Sequence, residues 1–427
     1  MATVSQMPGA DDRLVDRGDR WILAGVAMGI GVRVAMLIAR LGDAVPFSDT
    51  LWYTAQAKAL RKGRGFDDLF TGDPTAEHGP LTPILLSPAT TADGQRALMA
   101  LYGVVGLLVL VVVARRLLSP LAARVAVFVA ALYPNIWMHE SVHMSEALAI
   151  GLVSTTILCM LAVREHGRWW AAAALGIAIG LAALARSELA MLAPLCALVV
   201  WRHSPGRRLM NAGVVVVAAL VVVAPWVALN LSRFDEPTFL TTNDGTTWIG
   251  ANCDDTYSGG NTGSWTVFCA IDVEGLDDDA DASVRSARQR ELAFEYISEH
   301  AERVPVVVVA RLARTLDLYG LSNMVSGDTG EDKFEWVAWL GVVSFWMLAP
   351  LTVVGMRAMG RRDRSLVLPV VVTVLVTTIV FYGAHRIRAP LEPAVVLASA
   401  VGVSSLADRW RSSSRGRDAP AVPARST

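Results

Sequence analysis

Eight ionisable residues stand where an apolar chain should least carry them. Asp49, Glu77, His78, Glu146, Arg186, Glu188, Arg386 and Arg388 border or interrupt hydrophobic runs of the 427-residue sequence. Charge beside such runs is costly in lipid, which makes each position a candidate for function. Both signs are present, so the set offers two chemistries. A carboxylate fixed near a helix end takes a proton from a hydroxyl. A guanidinium grips a phosphate through its planar fork, better than an ammonium does.

Asp49 opens the stretch SDTLWYTAQAKALRKG, in which Ser48 or Asp49 caps a helix and Leu51, Trp52, Ala55 and Leu60 form an apolar stripe. The pattern predicts a helix lying along a membrane surface, and Tyr53 joins the polar positions at that boundary. Glu77 and His78 form a second polar pair at the far end of the same loop, ahead of Pro80 and Pro83, which delay the next helix. Arg186 and Glu188, in LARSELAML, read either as a structural ion pair or as a phosphate grip. Arg386 and Arg388, in YGAHRIRAPLEP, raise the same alternatives.

One motif points elsewhere. His139 to His143, HESVH, matches H-E-x-x-H, which puts two histidines on one helical face around a glutamate base. A metalloprotease needs helix on both sides and a third ligand, for which Asp244 is the nearest suggestion. A noncatalytic metal or substrate contact, or plain polar rim residues, are the competing readings.

The elements that must hold these groups follow from composition. With 53% hydrophobic and 18% charged residues and a mean hydropathy of +0.44, the chain is an integral membrane protein rather than a soluble one. About ten spans are expected, starting near Trp21, Ala97, Leu121, Ser145, Trp169, Leu189, Val214, Trp336, Leu366 and Pro390. The first carries an interrupting Arg33. The fold class is therefore all-α polytopic.

Alternate connectors are short and arginine-rich, so the positive-inside rule places residues 1–20, a disordered arm, and 407–427, a basic tail, in the cytoplasm. The first outer loop, 42–96, and an outer subdomain, 230–335, then face the extracytoplasmic side of a multi-pass cytoplasmic membrane protein, within one domain spanning 21–406. Arg386 and Arg388 stand outside against that bias, and an anionic substrate is one reason for it. The acidic run Asp277 to Asp281 reads as a solvated face. Cys253 and Cys269 lie in the outer subdomain, where a bridge would contribute about 3 kcal/mol on the chain-entropy model. Cys159 and Cys196 read as small buried hydrophobes. The dominance of arginine over lysine reflects base composition and implies no nucleic-acid partner.

The series FSDTLWYTAQAKALRKGRGF, PTAEHGPLTP, HMSEAL, LARSELAMLAP and HRIRAPLEP, in this order, resembles the GT-C superfamily of polytopic glycosyltransferases. The similarity is greatest to the bacterial branch related to protein O-mannosyltransferases and lipid A aminoarabinose transferases. The resemblance runs from about Trp21 to Leu406 and implies a sugar donor on a polyprenyl phosphate. It places Asp49 as the first-loop catalytic base, with Glu77 and His78 as the polar pair before a proline-containing span. Glu146 stands as the acid opening the fourth span, and Arg186 and Arg388 as basic residues that hold the donor phosphate. Thr50 stands where the family often has a second acid, so a paired-acid role must pass to Glu77 or be absent.

These readings converge on inverting sugar transfer to an acceptor hydroxyl of a lipid, glycan or protein, in a lipid bilayer. Asp49 is the base, with Tyr53, Glu77, His78, Glu146, Arg186, Glu188, Arg386 and Arg388 at the substrates. No cofactor is required, and dependence on a divalent metal is left open. The alternatives are a lipid-linked sugar flippase or exporter without catalysis, and an intramembrane metalloprotease built on His139 and His143.

Overall fold

The structure, a computed structural model, describes residues 17–68, 71–203, 207–271, 275 and 280–417. The arm before residue 17, most of the acidic run and the tail beyond 417 lie outside the described residues.

Apolar runs free of early breakers form the long helices. In chain order these and their shorter companions are α1 (Arg17–Ala39), α2 (Asp49–Arg61), α3 (Leu81–Leu86), α4 (Ala92–Leu117), α5 (Pro120–Leu132), α6 (Pro134–Trp137), α7 (Glu146–His166), α8 (Trp169–Ala185), α9 (Leu192–His203) and α10 (Arg208–Arg233). There follow α11 (Asn243–Gly250), α12 (Asp254–Tyr257), α13 (Phe268–Ile271), α14 (Ala282–Glu299), α15 (Val304–Thr315), α16 (Leu321–Gly330), α17 (Glu335–Ala358), α18 (Arg361–Val380), α19 (His385–Arg388) and α20 (Glu392–Arg417). Among the described residues seven helices, α1, α4, α7, α10, α17, α18 and the α19–α20 segment, are long and apolar enough to cross a membrane, and α5 and α8 are shorter apolar helices. The protein is thus an all-helical, multi-pass membrane protein.

Several boundaries shift from the expected spans for local reasons. Leu121 to Ile136 is not one helix, because Tyr133 is extended and Pro134 starts the separate α6. Residues 187–191 form a 3₁₀ turn ahead of α9. The tail expected from 407 begins as the continuation of α20, which runs to Arg417.

Small residues bring the helix axes together. A side chain at Gly355 would strike the Ala398 carbonyl, and one at Gly402 the Leu351 carbonyl, so α17 and α20 touch backbone to backbone. Gly176 and Gly180 do the same for α8 against α10.

The bundle has two unlike ends. At one, arginines close the helices, with Arg116 bonded to Glu165 and Arg164 to Asp363 at 2.7 Å. At the other, α2, the 133–145 loop and the 234–334 segment gather. That segment is closed by the Cys253–Cys269 disulfide. It is fastened by Arg311, which donates to the carbonyls of Ala251 and Ile379.

Candidate active site

The site is assembled at the loop-rich end from α2, the α3 approach, the α7 start, the loop after α8, the loop before α17, and α19. Ser48 is the cap of α2, its hydroxyl accepting the Thr50 N–H at 3.4 Å, so Asp49 is not consumed in capping. Its carboxylate sits in the first turn, where the helix dipole favours negative charge. The buried face of α2 is Thr50, Trp52, Tyr53, Gln56 and Ala57. Of the expected stripe only Trp52 is buried, because the helix packs against its own bundle as well as facing outward.

Asp49 Oδ2 accepts from Arg386 Nη2 at 2.8 Å, and Oδ1 lies 3.6 Å from His78 Nε2. His78 is wedged between aromatic neighbours, stacked on Tyr53 with centroids 5.0 Å apart and edge-on to Trp52 at 4.8 Å. Burial pushes the Asp49 carboxyl up, but His78 and Arg386 overcome it and hold it well below the usual carboxylate range. Burial likewise pushes His78 down, while Asp49 more than reverses this and raises it. Burial raises Glu77.

Arg386 is the hub. Besides Asp49 it donates from Nε to Glu146 Oε1 at 3.1 Å and from Nη1 to Glu331 Oε1 at 2.6 Å. Glu146 also accepts from Arg186 Nη1 at 2.6 Å, and Arg186 Nε reaches Glu188 at 2.5 Å. Glu331 shares Lys333 with Asp328, at 2.9 and 2.7 Å. His385 bridges Asp328 and Asp317 at 2.6 and 2.7 Å.

Two cavities meet here. The larger, about 810 Å³, is bordered by Phe47, Leu51, Trp52, Asn261, Asn323, Met324 and Arg314 among others. The smaller, about 390 Å³, is bordered by Tyr53, His78, Ser145, Arg186, Glu188 and Asn243 among others. Asp49, Glu77, Trp265, Tyr382 and Arg386 border both.

The sequence-expected set is therefore largely brought together: Asp49, Tyr53, Glu77, His78, Arg186, Glu188 and Arg386 line a cavity, and Glu146 lies fully buried beneath two of the arginines. Arg388 is not with them. It is fully buried, bonded to Asp317 and Glu392 at 2.8 Å and held 3.8 Å from the Phe345 ring centroid, away from both cavities.

The H-E-x-x-H stretch also departs from expectation. Residues 138–145 form turns and bends with no helix, so His139 and His143 share no helical face. Glu140 is engaged by Arg33 at 2.5 Å, and His143 Nε2 is 3.0 Å from the Ala92 carbonyl. Asp244 is bonded to Arg290 at 2.7 Å. Among the described residues no group of three or more His, Cys, Asp or Glu is placed to hold a metal. Burial pushes His139 down to about 3, with Lys333 adding to it, and His143 down to about 4.

Sequence reasoning missed Asp317, Asp328, Glu331, Lys333, Trp265 and Tyr382. The one available signal was Lys333, the single lysine beyond Lys62, set directly after two acids.

The family model described as dolichyl-phosphate-mannose-protein mannosyltransferase matches residues 89–228, which include Glu146, Arg186 and Glu188 but leave Asp49 and Arg386 outside. No curated protein matches the chain by sequence. Among solved structures, the apo oligosaccharyltransferase of Archaeoglobus fulgidus is 14% identical at a TM-score of 0.57, covering 95% of this chain and 52% of that one. The same archaeal enzyme, AglB, with an inhibitory peptide and a dolichol-phosphate is 15% identical at 0.54, with the same coverage. ArnT from Cupriavidus metallidurans, bound to undecaprenyl phosphate, is 15% identical at 0.43, covering 90% of this chain and 78% of that one. The chain spans about half the length of the oligosaccharyltransferase. Its fold is shared with that archaeal oligosaccharyltransferase, and over residues 89–228 it is similar to the family described as dolichyl-phosphate-mannose-protein mannosyltransferase.

Proposed function

We propose that the chain transfers a sugar from a polyprenyl-phosphate donor to an acceptor hydroxyl, with inversion at the anomeric carbon and Asp49 as the proton acceptor. One observation carries this reading: the Asp49–Arg386 pair stands in the wall common to two cavities. A reaction joining two substrates needs such a meeting place, with a base and a cation facing both. The acceptor oxygen bonds to the anomeric carbon while the bond from that carbon to the phosphate oxygen breaks. The electron pair leaves with polyprenyl phosphate, and the hydroxyl proton passes to Asp49. Held ionised by His78 and Arg386, Asp49 is unprotonated when the hydroxyl arrives. Arg386 places positive charge where the phosphate departs. Similarity over residues 89–228 to a family described by its dolichyl-phosphate-mannose donor supports the donor class, and so does a fold shared with an enzyme whose structure holds dolichol-phosphate.

The site end is read as extracytoplasmic, in a cytoplasmic membrane. The arginine-rich helix ends lie at the opposite pole, as the positive-inside rule asks of the cytoplasmic side, and the disulfide suits an oxidising compartment.

Purified protein incubated with polyprenyl-phosphate sugars and a membrane extract should release polyprenyl phosphate and add the sugar mass to one class of acceptor. Binding of donor with no release under any acceptor would overturn the reading in favour of a carrier.

A further inference from the structure

Two residues other than glycine hold a left-handed backbone among the described residues, Asp317 at φ 55° and Asp332 at φ 69°. Such a residue persists where its surroundings over-determine it. Asp332 lies in the turn after α16, between two residues already met in the site. Glu331 accepts from Arg386 Nη1 at 2.6 Å, and the buried Lys333 ammonium joins Glu331 and Asp328 at 2.9 and 2.7 Å. The Asp332 carboxylate turns the other way. Its Oδ1 accepts from Arg40 Nη1 at 2.6 Å, and its Oδ2 lies 3.7 Å from Arg96 Nη2. The Arg40 guanidinium in turn covers the Phe334 ring, 3.8 Å from its centroid. Asp332, Arg40 and Arg96 border neither cavity.

Arg40 directly follows α1, in the segment that leads to Asp49, and the same segment is fastened again a few residues on. The Gly42 N–H donates to Asp93 Oδ1 at 3.1 Å, and Arg96, which holds Asp93 at 2.9 Å, reaches the Ala44 carbonyl at 3.5 Å. The approach to Asp49 and the turn around Glu331 are therefore joined on two sides. On the cavity side Arg386 bonds both acids, at 2.8 and 2.6 Å; behind, Arg40 bonds Asp332. A buried ion pair adds little net stability over apolar packing, and its best-attested use is to fix one arrangement among several. Here the arrangement is the spacing of the two acids that share Arg386.

We infer that Asp332 is a positioning residue for the transfer centre: held from behind by Arg40 and Arg96, it presents Glu331 to Arg386 and so fixes that guanidinium against Asp49. The inference rests on the sugar-transfer reading given above and adds to it a residue that touches neither substrate.

The test uses the full-length protein in detergent, the polyprenyl-phosphate sugar that the wild type consumes, and membrane extract as acceptor. Asp332→Asn and Asp332→Gly both tolerate a left-handed turn, so each removes the charge without forcing the backbone. In both, kcat should fall about 10- to 100-fold, as a small misplacement of reacting groups causes, with the donor KM within about twofold of wild type. Arg40→Lys, which keeps a cation facing Asp332, should retain most of the rate, and Arg40→Met should lose it as the Asp332 variants do. Because Asp332 acts through Glu331, adding Asp332→Asn to Glu331→Gln should cost no more than about twofold beyond Glu331→Gln alone. If Asp332→Asn does not fold, Asp332→Gly and the two Arg40 variants carry the same comparison. Losses that multiply in the double variant, or wild-type kcat in Asp332→Gly, overturn the inference while sugar transfer stands. A raised donor KM at unchanged kcat would make Asp332 a contributor to binding and overturn it too. A wild type that transfers from no polyprenyl-phosphate sugar would remove the reading beneath it.

Discussion

Arg386 Nη2 and Asp49 Oδ2 meet at 2.8 Å across 337 positions of sequence, joining a turn near the last helix to the first turn of α2. The bond makes the site a property of the whole fold rather than of one loop, and the consequences can be measured.

On the proposed mechanism, replacing Asp49 with Asn removes the proton acceptor and keeps the shape. Transfer should fall about 100- to 10,000-fold, the usual range for a general base, with donor binding little changed. Initial rates with saturating donor and acceptor, beside a binding titration, give both numbers; full turnover by the Asp49→Asn enzyme would remove Asp49 from the mechanism.

The Asp49–His78 pair gives stability a defined pH dependence. His78 is raised above its ordinary value of 6.5, so its contribution is fully present below 6.5 and is lost as pH rises through the folded value. Asp49 is lowered below 3.8, so its contribution is present above 3.8 and is lost only as pH falls through the folded value. Thermal melts should therefore show the wild type losing stability on the alkaline side. The wild-type advantage over His78→Gln should be largest below pH 6.5 and shrink as pH rises through the folded value. A constant difference across that range would contradict the pairing.

Arg388→Met should damage folding rather than binding. It strips the cation from Glu392 and leaves Asp317 with His385 alone, at about 3–5 kcal/mol for a broken buried pair. The yield of monodisperse protein should drop, while the material that survives keeps the wild-type donor affinity. Reduced affinity in well-folded protein would return Arg388 to the substrate.

Reduction of the Cys253–Cys269 bond, 16 residues apart, should lower stability by about 3 kcal/mol. Replacing both cysteines with serine should reproduce that loss and abolish any further effect of reductant. Melting curves with and without reductant decide it.

How much of this the sequence could reveal depends on what kind of signal each residue leaves. Long apolar runs made the helices legible, and Asp49 was legible because it begins an amphipathic segment beside a span. Arg386 and Arg388 were not separable: they lie two positions apart in the four-residue α19, one turned to the cavities and the other into the core, and so short a helix carries no periodicity to read. Glu331 and Lys333 were hidden for the same reason, in a polar interval with no repeating face. His139 and His143 matched a motif by residue type, but helical spacing works only where the helix continues, and α6 ends at Trp137. The buried face of α2 eluded the pattern because Thr50 and Gln56 are buried as well as Trp52.

The three carboxylates that Arg386 joins stand at positions 49, 146 and 331, all made by the ribosome before the guanidinium that ties them together. A nascent chain holds the acids but not their hub. The cluster closes only once α19 has been synthesised, so this ionic hub is among the last features the polypeptide assembles during biogenesis, and a chain released before it carries three carboxylates without the guanidinium that joins them.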